Sequence, residues 1–297
     1  LVCDAKVTAL TSEEEIVDAL SDGEKGTIIV DKTTFYGTMG GQQGDIGTIE
    51  EGDNVFEVKD TIHLQGGRIG HVGKVVSGMF KVSDVVTLKV DSMNRLSTGK
   101  NHSATHLLQK ALRNVVGSHV EQKGSYVDAK RLRFDFSHFQ KVTDEELEKV
   151  AAIVNREIRK NYSLEESRAI PIGQAKKMGA MAIFGEKYGD LVRVVKFGES
   201  VELCGGTHAH ATGQIGFFKI ISESSVSAGV RRIEAITAAK AEEYILNYFK
   251  MMKEIDSMFK SNRGVLENVR ELLNENEGLK KDVEKFTQES LRIMNMT

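Results

Sequence analysis

The sequence predicts an α+β protein in three parts: a small glycine-rich β-barrel, an α/β two-layer region built on an antiparallel sheet, and a helical tail. Three observations predict it. Residues 1–100 hold 14 of the 28 glycines, set between short β-prone runs. The middle of the chain alternates helical apolar stripes with strand-like runs. From about Ala241 the apolar residues recur at spacings of three and four. The boundaries fall at 1–98, 99–240 and 241–297.

In the first part, Ser12 and Glu15 form a capping-box pair ahead of Ile16, Val17 and Leu20, which predicts a short helix. Strands are expected at Thr27–Val30, Ile46–Ile49, Val55–Val58, Gly70–Val76 and Val85–Val90, separated by Gly, Asp and Asn turns. The loop Thr38-Met-Gly-Gly-Gln-Gln-Gly44 interrupts them. Its glycines suit barrel turns, and they also permit a ligand to approach the main chain.

The second part should open with a helix over 101–118, carrying Leu107, Leu108, Ala111, Leu112 and Val115 on one side. Strands should follow within Gly124–Phe136, with Leu132, Phe134 and Phe136 inward and Arg133 and Asp135 outward. Thr143 and Glu146 make a second capping box, before the stripe Leu147, Val150, Val154 and Ile158. Pro171, the only proline, should sit in a connector. Leu191–Phe197, Ile215–Ile221 and Arg231–Ile236 are β-prone.

In the tail, Ile245, Tyr248, Met252, Ile255 and Phe259 form one seam. Ser261–Gly264 makes a turn, and Val265, Val269, Leu272, Asn276, Leu279, Val283 and Phe286 form a second seam. Asn276 is a polar interruption able to set register. A helical hairpin or a dimerisation arm is the plain expectation, making a homo-oligomer, and a helix running off at Thr297 suggests truncation.

Composition excludes several classes. With 40% hydrophobic and 28% charged residues the chain is ordinary for a globular protein. No apolar run is long enough to span a membrane. No signal peptide is evident, and two distant cysteines make no disulfide framework, so a cytoplasmic compartment is expected. A net charge of −3 argues against gripping a long nucleic-acid duplex, though a local patch at Lys123, Lys130, Arg131 and Arg133 would serve a nucleic-acid end. Each of those four, taken singly, is equally well a solvated surface residue.

The chemistry concentrates in two stretches. His102 and His106, in Asn101-His-Ser-Ala-Thr-His106, share one face if helical. Cys204 and His208, in Cys204-Gly-Gly-Thr-His208, also stand four apart, across a glycine turn. Either pair alone is commonplace. Together they supply three nitrogens and a sulfur, a set that suits zinc. A zinc peptidase would need a glutamate after the first histidine, and Ser103 is there instead. His210 is a spare ligand, more simply read as a surface histidine.

These two stretches closely resemble the editing domain of alanyl-tRNA synthetase, shared by free-standing alanyl-tRNA editing proteins and, in related form, by threonyl-tRNA synthetase. His119-Val-Glu-Gln-Lys-Gly-Ser125, Leu132-Arg-Phe-Asp-Phe-Ser-His138, Phe35-Tyr-Gly-Thr-Met-Gly-Gly-Gln42 and Gly44-Asp-Ile-Gly47 extend the resemblance over roughly 15–240. Gln43 departs from the apolar residue expected there. The resemblance implies hydrolysis of mischarged Ser-tRNA(Ala) and Gly-tRNA(Ala), with Zn(2+) held by His102, His106, Cys204 and His208. Gln122 and Thr105 would act on the substrate, and Gly40, Gly41, Gln42 and Arg133 would bind it. The partner would be the tRNA(Ala) acceptor end. No ATP-binding motif is apparent, so the chain should edit without aminoacylating. A zinc-stabilised tRNA-binding module without catalysis is the alternative, and a structural dimerisation fragment is a third.

Overall fold

The computed structural model describes residues 1–181, 189–259, 261 and 263–294. Two compact units emerge, Leu1–Glu242 and Glu243–Thr297.

The first unit begins with a closed barrel. Its strands are β1 (Val2–Thr11), β2 (Ile16–Val17), β3 (Ala19–Ser21), β4 (Lys25–Val30), β5 (Gly47–Glu51), β6 (Asn54–His63), β7 (Ile69–Ser77), β8 (Met79–Lys81) and β9 (Val85–Val90). The order β1-β4-β7-β6-β5-β9 returns to β1 through an antiparallel β1–β9 pairing, so six strands close on themselves and leave no free edge. Leu10, Ile28, Ile49, Phe56, Val75 and Leu88 fill the interior. The helix expected after Ser12 is a turn instead. The Ser12 hydroxyl accepts from the backbone of Glu14 and Glu15, and the chain reverses so that Leu10 pairs with Val17. A serine side chain can satisfy either a helix N-terminus or a hairpin turn, and tertiary pairing decides between them. Ile16 is exposed.

A long helix, α1 (Ser92–Val115), leaves the barrel. Asp91 caps it by accepting from the backbone of Met93 and Asn94, so it starts nine residues before the expected position 101. The early turns escaped detection because they carry no apolar stripe. Their buried face is Thr98, Asn101, His102, Ser103, Thr105, His106 and Gln109, and a buried polar face leaves no hydrophobic periodicity.

Strands β10 (Gln122–Val127) and β11 (Leu132–Ser137), helix α2 (Asp144–Arg159), strand β12 (Glu165–Pro171), helix α3 (Ile172–Lys177), and strands β13 (Leu191–Phe197), β14 (Ser200–Leu203), β15 (Phe218–Ser227) and β16 (Val230–Thr237) complete the unit. A four-stranded antiparallel sheet runs β10-β11-β16-β15, and a three-stranded one runs β12-β13-β14. Leu132, Phe134 and Phe136 point into one core with Leu108, Leu112, Val150 and Val154 from α1 and α2. Thr143 and Glu146 make the expected capping box of α2.

Three expectations need correction. Asp135 is not solvated: it is buried on the far face of the sheet, where it accepts two bonds from Arg232 at 2.7 and 2.8 Å. Pro171 ends β12 rather than sitting in a connector. β15 starts at Phe218, because Thr212–Ile215 forms a short helical turn that stops at Gly216 in left-handed backbone.

The tail contributes α4 (Ala238–Ser257), which begins in the first unit, and α5 (Val265–Met294). Leu272, Leu279, Val283 and Phe286 lie exposed along α5. The expected run of helix to Thr297 falls outside the described residues. Among those described, no helix is long and apolar enough to cross a membrane.

Candidate metal centre

The four predicted ligands meet. Helical spacing puts His102 and His106 on one side of α1, and the chain leaving β14 turns back toward them through Gly205 and Gly206. One ligand atom from each of His102, His106, Cys204 and His208 lies within 4.8 Å of the others. Cys204 Sγ stands 3.4 Å from His102 Nε2 and 3.3 Å from His208 Nε2.

The neighbours fix which ring nitrogen faces inward. Gln42 Oε1 accepts from the Thr207 backbone N–H at 2.9 Å, which orients the amide, so His102 Nδ1, 2.7 Å from the same oxygen, must carry a proton. The Ser103 hydroxyl donates to the Gly99 carbonyl at 2.8 Å and can therefore only accept from His208 Nδ1 at 3.2 Å. In both rings Nε2 keeps its lone pair toward the cluster. His106 Nδ1 lies 3.5 Å from Glu202 Oε2 and has no hydrogen-bond partner among the described residues.

Burial keeps the rings neutral. It brings His102 down to about 4, with the Arg193 guanidinium adding to the effect. His106 and His208 are held well below the ordinary histidine range, first by burial and then by the neighbouring histidines and the Arg193 guanidinium, which would repel a proton there. Burial pushes the Glu202 carboxyl up to about 8, partly offset by the Ser200 hydroxyl. Three neutral imidazoles and a thiol converging in a buried space, two of the rings held by outer hydrogen bonds, fit a zinc ion in donor type and in orientation.

Two glycines are required by the packing. A Cβ on Gly206 would lie 2.1 Å from His102 Cε1, and one on Gly41 would lie 2.4 Å from the Ser125 carbonyl oxygen. Gly41 also has φ +81°. Its loop docks on β10 through Val127 N–H to the Gly41 carbonyl, 2.8 Å, and Gln43 N–H to the Val127 carbonyl, 2.9 Å. Arg95, from the first turn of α1, grips Asp45 at the end of the loop with its Nε at 2.7 and 2.9 Å.

Gln42, expected at the substrate, is turned inward onto His102 and Thr207 and is fully buried. Gly40 is exposed at the tip of its turn. Thr105 is buried, and its hydroxyl donates to the Asn101 carbonyl at 3.0 Å. Gln122 pairs with Phe136, whose ring lies in the core beneath α1, so its side chain emerges on that face. It is 9% exposed, yet its amide bonds to no described residue. Arg133 does not join the cluster. It alternates with Leu132 and Phe134 onto the far face of the sheet, 5.8 Å from the Tyr126 ring centre. Of its expected companions, Lys123 pairs with Glu121 and Arg131 with Glu234. His210 is exposed and outside the cluster.

Sequence reasoning missed Arg193, Glu202 and the Arg95–Asp45 clamp. Ser103 and Asp45 lie inside the quoted motifs, and that is their only sequence signal. Arg193 and Glu202 lie on strands whose alternation gives no hint of what they face.

Residues 192–234 match the family described as the threonyl and alanyl tRNA synthetase second additional domain, and residues 1–94 match class II (A) tRNA synthetases. The chain is 53% identical over 288 residues to alanine–tRNA ligase 1 of Lachnoclostridium phytofermentans, covering 93% of this chain and 32% of that protein. It is 48% identical over 267 residues to alanine–tRNA ligase of Parabacteroides distasonis, covering 90% and 30% respectively. The enzyme of the same name from Cupriavidus necator is 48% identical over 257 residues, covering 86% and 29%. The chain thus spans about a third of the length of these relatives.

Proposed function

The chain belongs to the alanine–tRNA ligase family, and from that premise we propose that it hydrolyses the aminoacyl ester of mischarged Ser-tRNA(Ala) and Gly-tRNA(Ala). A pocket built to select alanine discriminates poorly against glycine or serine, since one methyl group is worth only about 1–3 kcal/mol and an added hydroxyl is weakly rejected. A second site is then needed to remove the wrong products.

The observation that carries this reading is Gln122, a residue nine-tenths buried whose amide is hydrogen-bonded to no described residue. A serine hydroxyl would pair with it. Alanine would cover it with a methyl group and leave it unsatisfied, at a cost of about 1–3 kcal/mol. Glycine leaves room for a water in the same place. Thr105 already donates its proton to Asn101, so its hydroxyl is available only as an acceptor, the complement to a serine hydroxyl or a hydrolytic water.

His102, His106, Cys204 and His208 would hold zinc, which when bound supplies a fixed positive charge able to anchor substrate beside the ester. The side chains and main chain around it do the rest. They orient the acceptor end, exclude bulk water from the His102 and His106 side, and direct one water to the carbonyl carbon while the ribose oxygen leaves. Gly40 and Gly41 line the approach, and Arg133 would serve substrate only by meeting RNA on the far face of the sheet. A cytoplasmic, reducing setting suits the thiol, and the exposed face of α5 suits self-association.

The test is deacylation of Ser-tRNA(Ala) and Ala-tRNA(Ala) by the wild type and Cys204→Ala, with zinc content determined for both. Serine release by the zinc-loaded wild type, lost together with the metal in the variant, is the expected result. Retained zinc and tRNA binding with no release would mean a binding module instead.

A further inference from the structure

We infer that Arg193 is a positioning residue for the metal centre, the group that sets the shape of the Cys204–His208 loop and with it the affinity for zinc. The inference rests on the ligand set proposed above, but not on the reaction.

The argument begins where β13 and β14 part. Their ladder ends with the Cys204 backbone N–H donating to the Arg193 carbonyl at 3.1 Å. Beyond that rung the loop has no strand partner, and its two glycines give it wide conformational freedom. Arg193 supplies the missing constraint from its side chain. One terminal nitrogen, Nη1, donates to the carbonyls of Cys204 at 3.0 Å and Gly206 at 2.7 Å. Drawing both carbonyls to one side turns the opposite side of the loop inward, where Cys204 Sγ meets His102 and His208 and the Gly206 N–H approaches the sulfur at 3.4 Å.

The guanidinium is itself held. Its Nε and Nη2 both donate to Glu166 Oε2, at 2.9 and 2.6 Å, and Glu166 reaches from the neighbouring strand β12. Arg168 takes the other carboxylate oxygen at 2.7 Å. The bond from Arg193 is the largest cause of the lowered Glu166 carboxyl, so the pair is charged and fixed at neutral pH. All three nitrogens of one planar fork are therefore in use. Lysine offers a point charge without a fork and cannot reach both carbonyls while keeping Glu166.

The experiment compares the full chain as wild type, Arg193→Lys, Arg193→Ala and Arg168→Ala. Arg168→Ala removes the other partner of Glu166 and touches neither carbonyl. Zinc affinity is read by competition with the chromogenic chelator 4-(2-pyridylazo)resorcinol, and the ligand field by the visible spectrum of the cobalt(II)-loaded protein. Arg193→Lys should bind zinc about 10- to 100-fold more weakly, the usual effect of losing an outer-shell partner, with an altered cobalt spectrum, and Arg168→Ala should stay within twofold of wild type. Circular dichroism verifies folding. If Arg193→Ala fails to fold, Arg193→Lys and Arg168→Ala decide. Wild-type affinity and spectrum in Arg193→Lys would overturn the inference, as would an equal loss in Arg168→Ala. No tRNA is present, so failure here is separate from failure to deacylate.

Discussion

Gln42 and His102 lie 60 residues apart and meet at 2.7 Å, so a loop of the barrel holds one of the four clustered residues that could bind a metal, on the helix that follows the barrel. The same amide grips Thr207, 165 residues away, on the second ligand loop. One side chain thus joins the barrel, α1 and the Cys204–His208 loop.

Replacing Gln42 with alanine should loosen His102 and leave its Nδ1–H and the Thr207 N–H unpaired. Zinc affinity should fall by about 10- to 100-fold, read by chelator competition, while far-UV circular dichroism stays native. Unchanged affinity would mean that the packing around His102, rather than this bond, orients the ring.

Gly206→Ala should abolish metal binding, because the new methyl would lie 2.1 Å from His102 Cε1. Gly205→Ala is the matched control. Its nearest neighbour is the Met39 methyl at 3.1 Å, the end of a flexible and exposed side chain that can move away. Zinc content of the two purified variants checks the contrast.

Gln122→Ala removes an amide with no described partner from a largely buried residue, so the melting temperature should hold or rise. Its kcat/KM on Ser-tRNA(Ala) should fall by roughly 5- to 150-fold, which corresponds to about 1–3 kcal/mol for one buried hydrogen bond. A melting temperature lowered in step with activity would assign Gln122 to the fold instead.

Arg95→Ala leaves the Asp45 carboxylate, whose side chain is 4% exposed, with the Tyr36 backbone N–H but no countercharge. Removing one partner of a buried pair costs about 3–5 kcal/mol, and urea unfolding should register a loss of that order. Arg95→Met combined with Asp45→Asn should recover much of it.

His71 lies buried in the barrel, with Nδ1 2.9 Å from the Ile28 carbonyl and Nε2 2.9 Å from the Thr33 hydroxyl. Burial lowers its pKa from 6.5, with the Ile28 carbonyl working partly against that shift. The unfolded chain therefore takes up a proton that the folded barrel refuses. The stability from His71 is full above 6.5 and declines as pH falls below it. His71→Gln should flatten the pH dependence of unfolding on the acid side, measured against wild type from neutral pH to about 5. Parallel curves would contradict this.

The barrel, α2 and the convergence of His102, His106, Cys204 and His208 were legible because each has a local signature: glycine turns between β-prone runs, a capping box, and paired residues at a spacing of four. The start of α1 was hidden because its buried face is polar. The Ser12 turn misled because a hydroxyl accepting two backbone N–H groups looks alike in a helix cap and in a hairpin. Gln42 and Arg133 were assigned by resemblance to the substrate. Residue type alone does not tell which way an amide turns, nor which face of a sheet a guanidinium leaves from. Arg193 and Glu202 gain their places only through pairings between distant segments.

The long reach of Gln42 bears on the order in which the molecule forms. Contacts bridging 60 and 165 residues carry a loop-closure penalty that local helices and hairpins escape. During synthesis α1 emerges with two histidines about a hundred residues before Cys204 and His208 are made. The cluster of four is therefore complete only after the Cys204 loop has docked against α1. Metal taken up by this cluster would mark the end of folding rather than its nucleus.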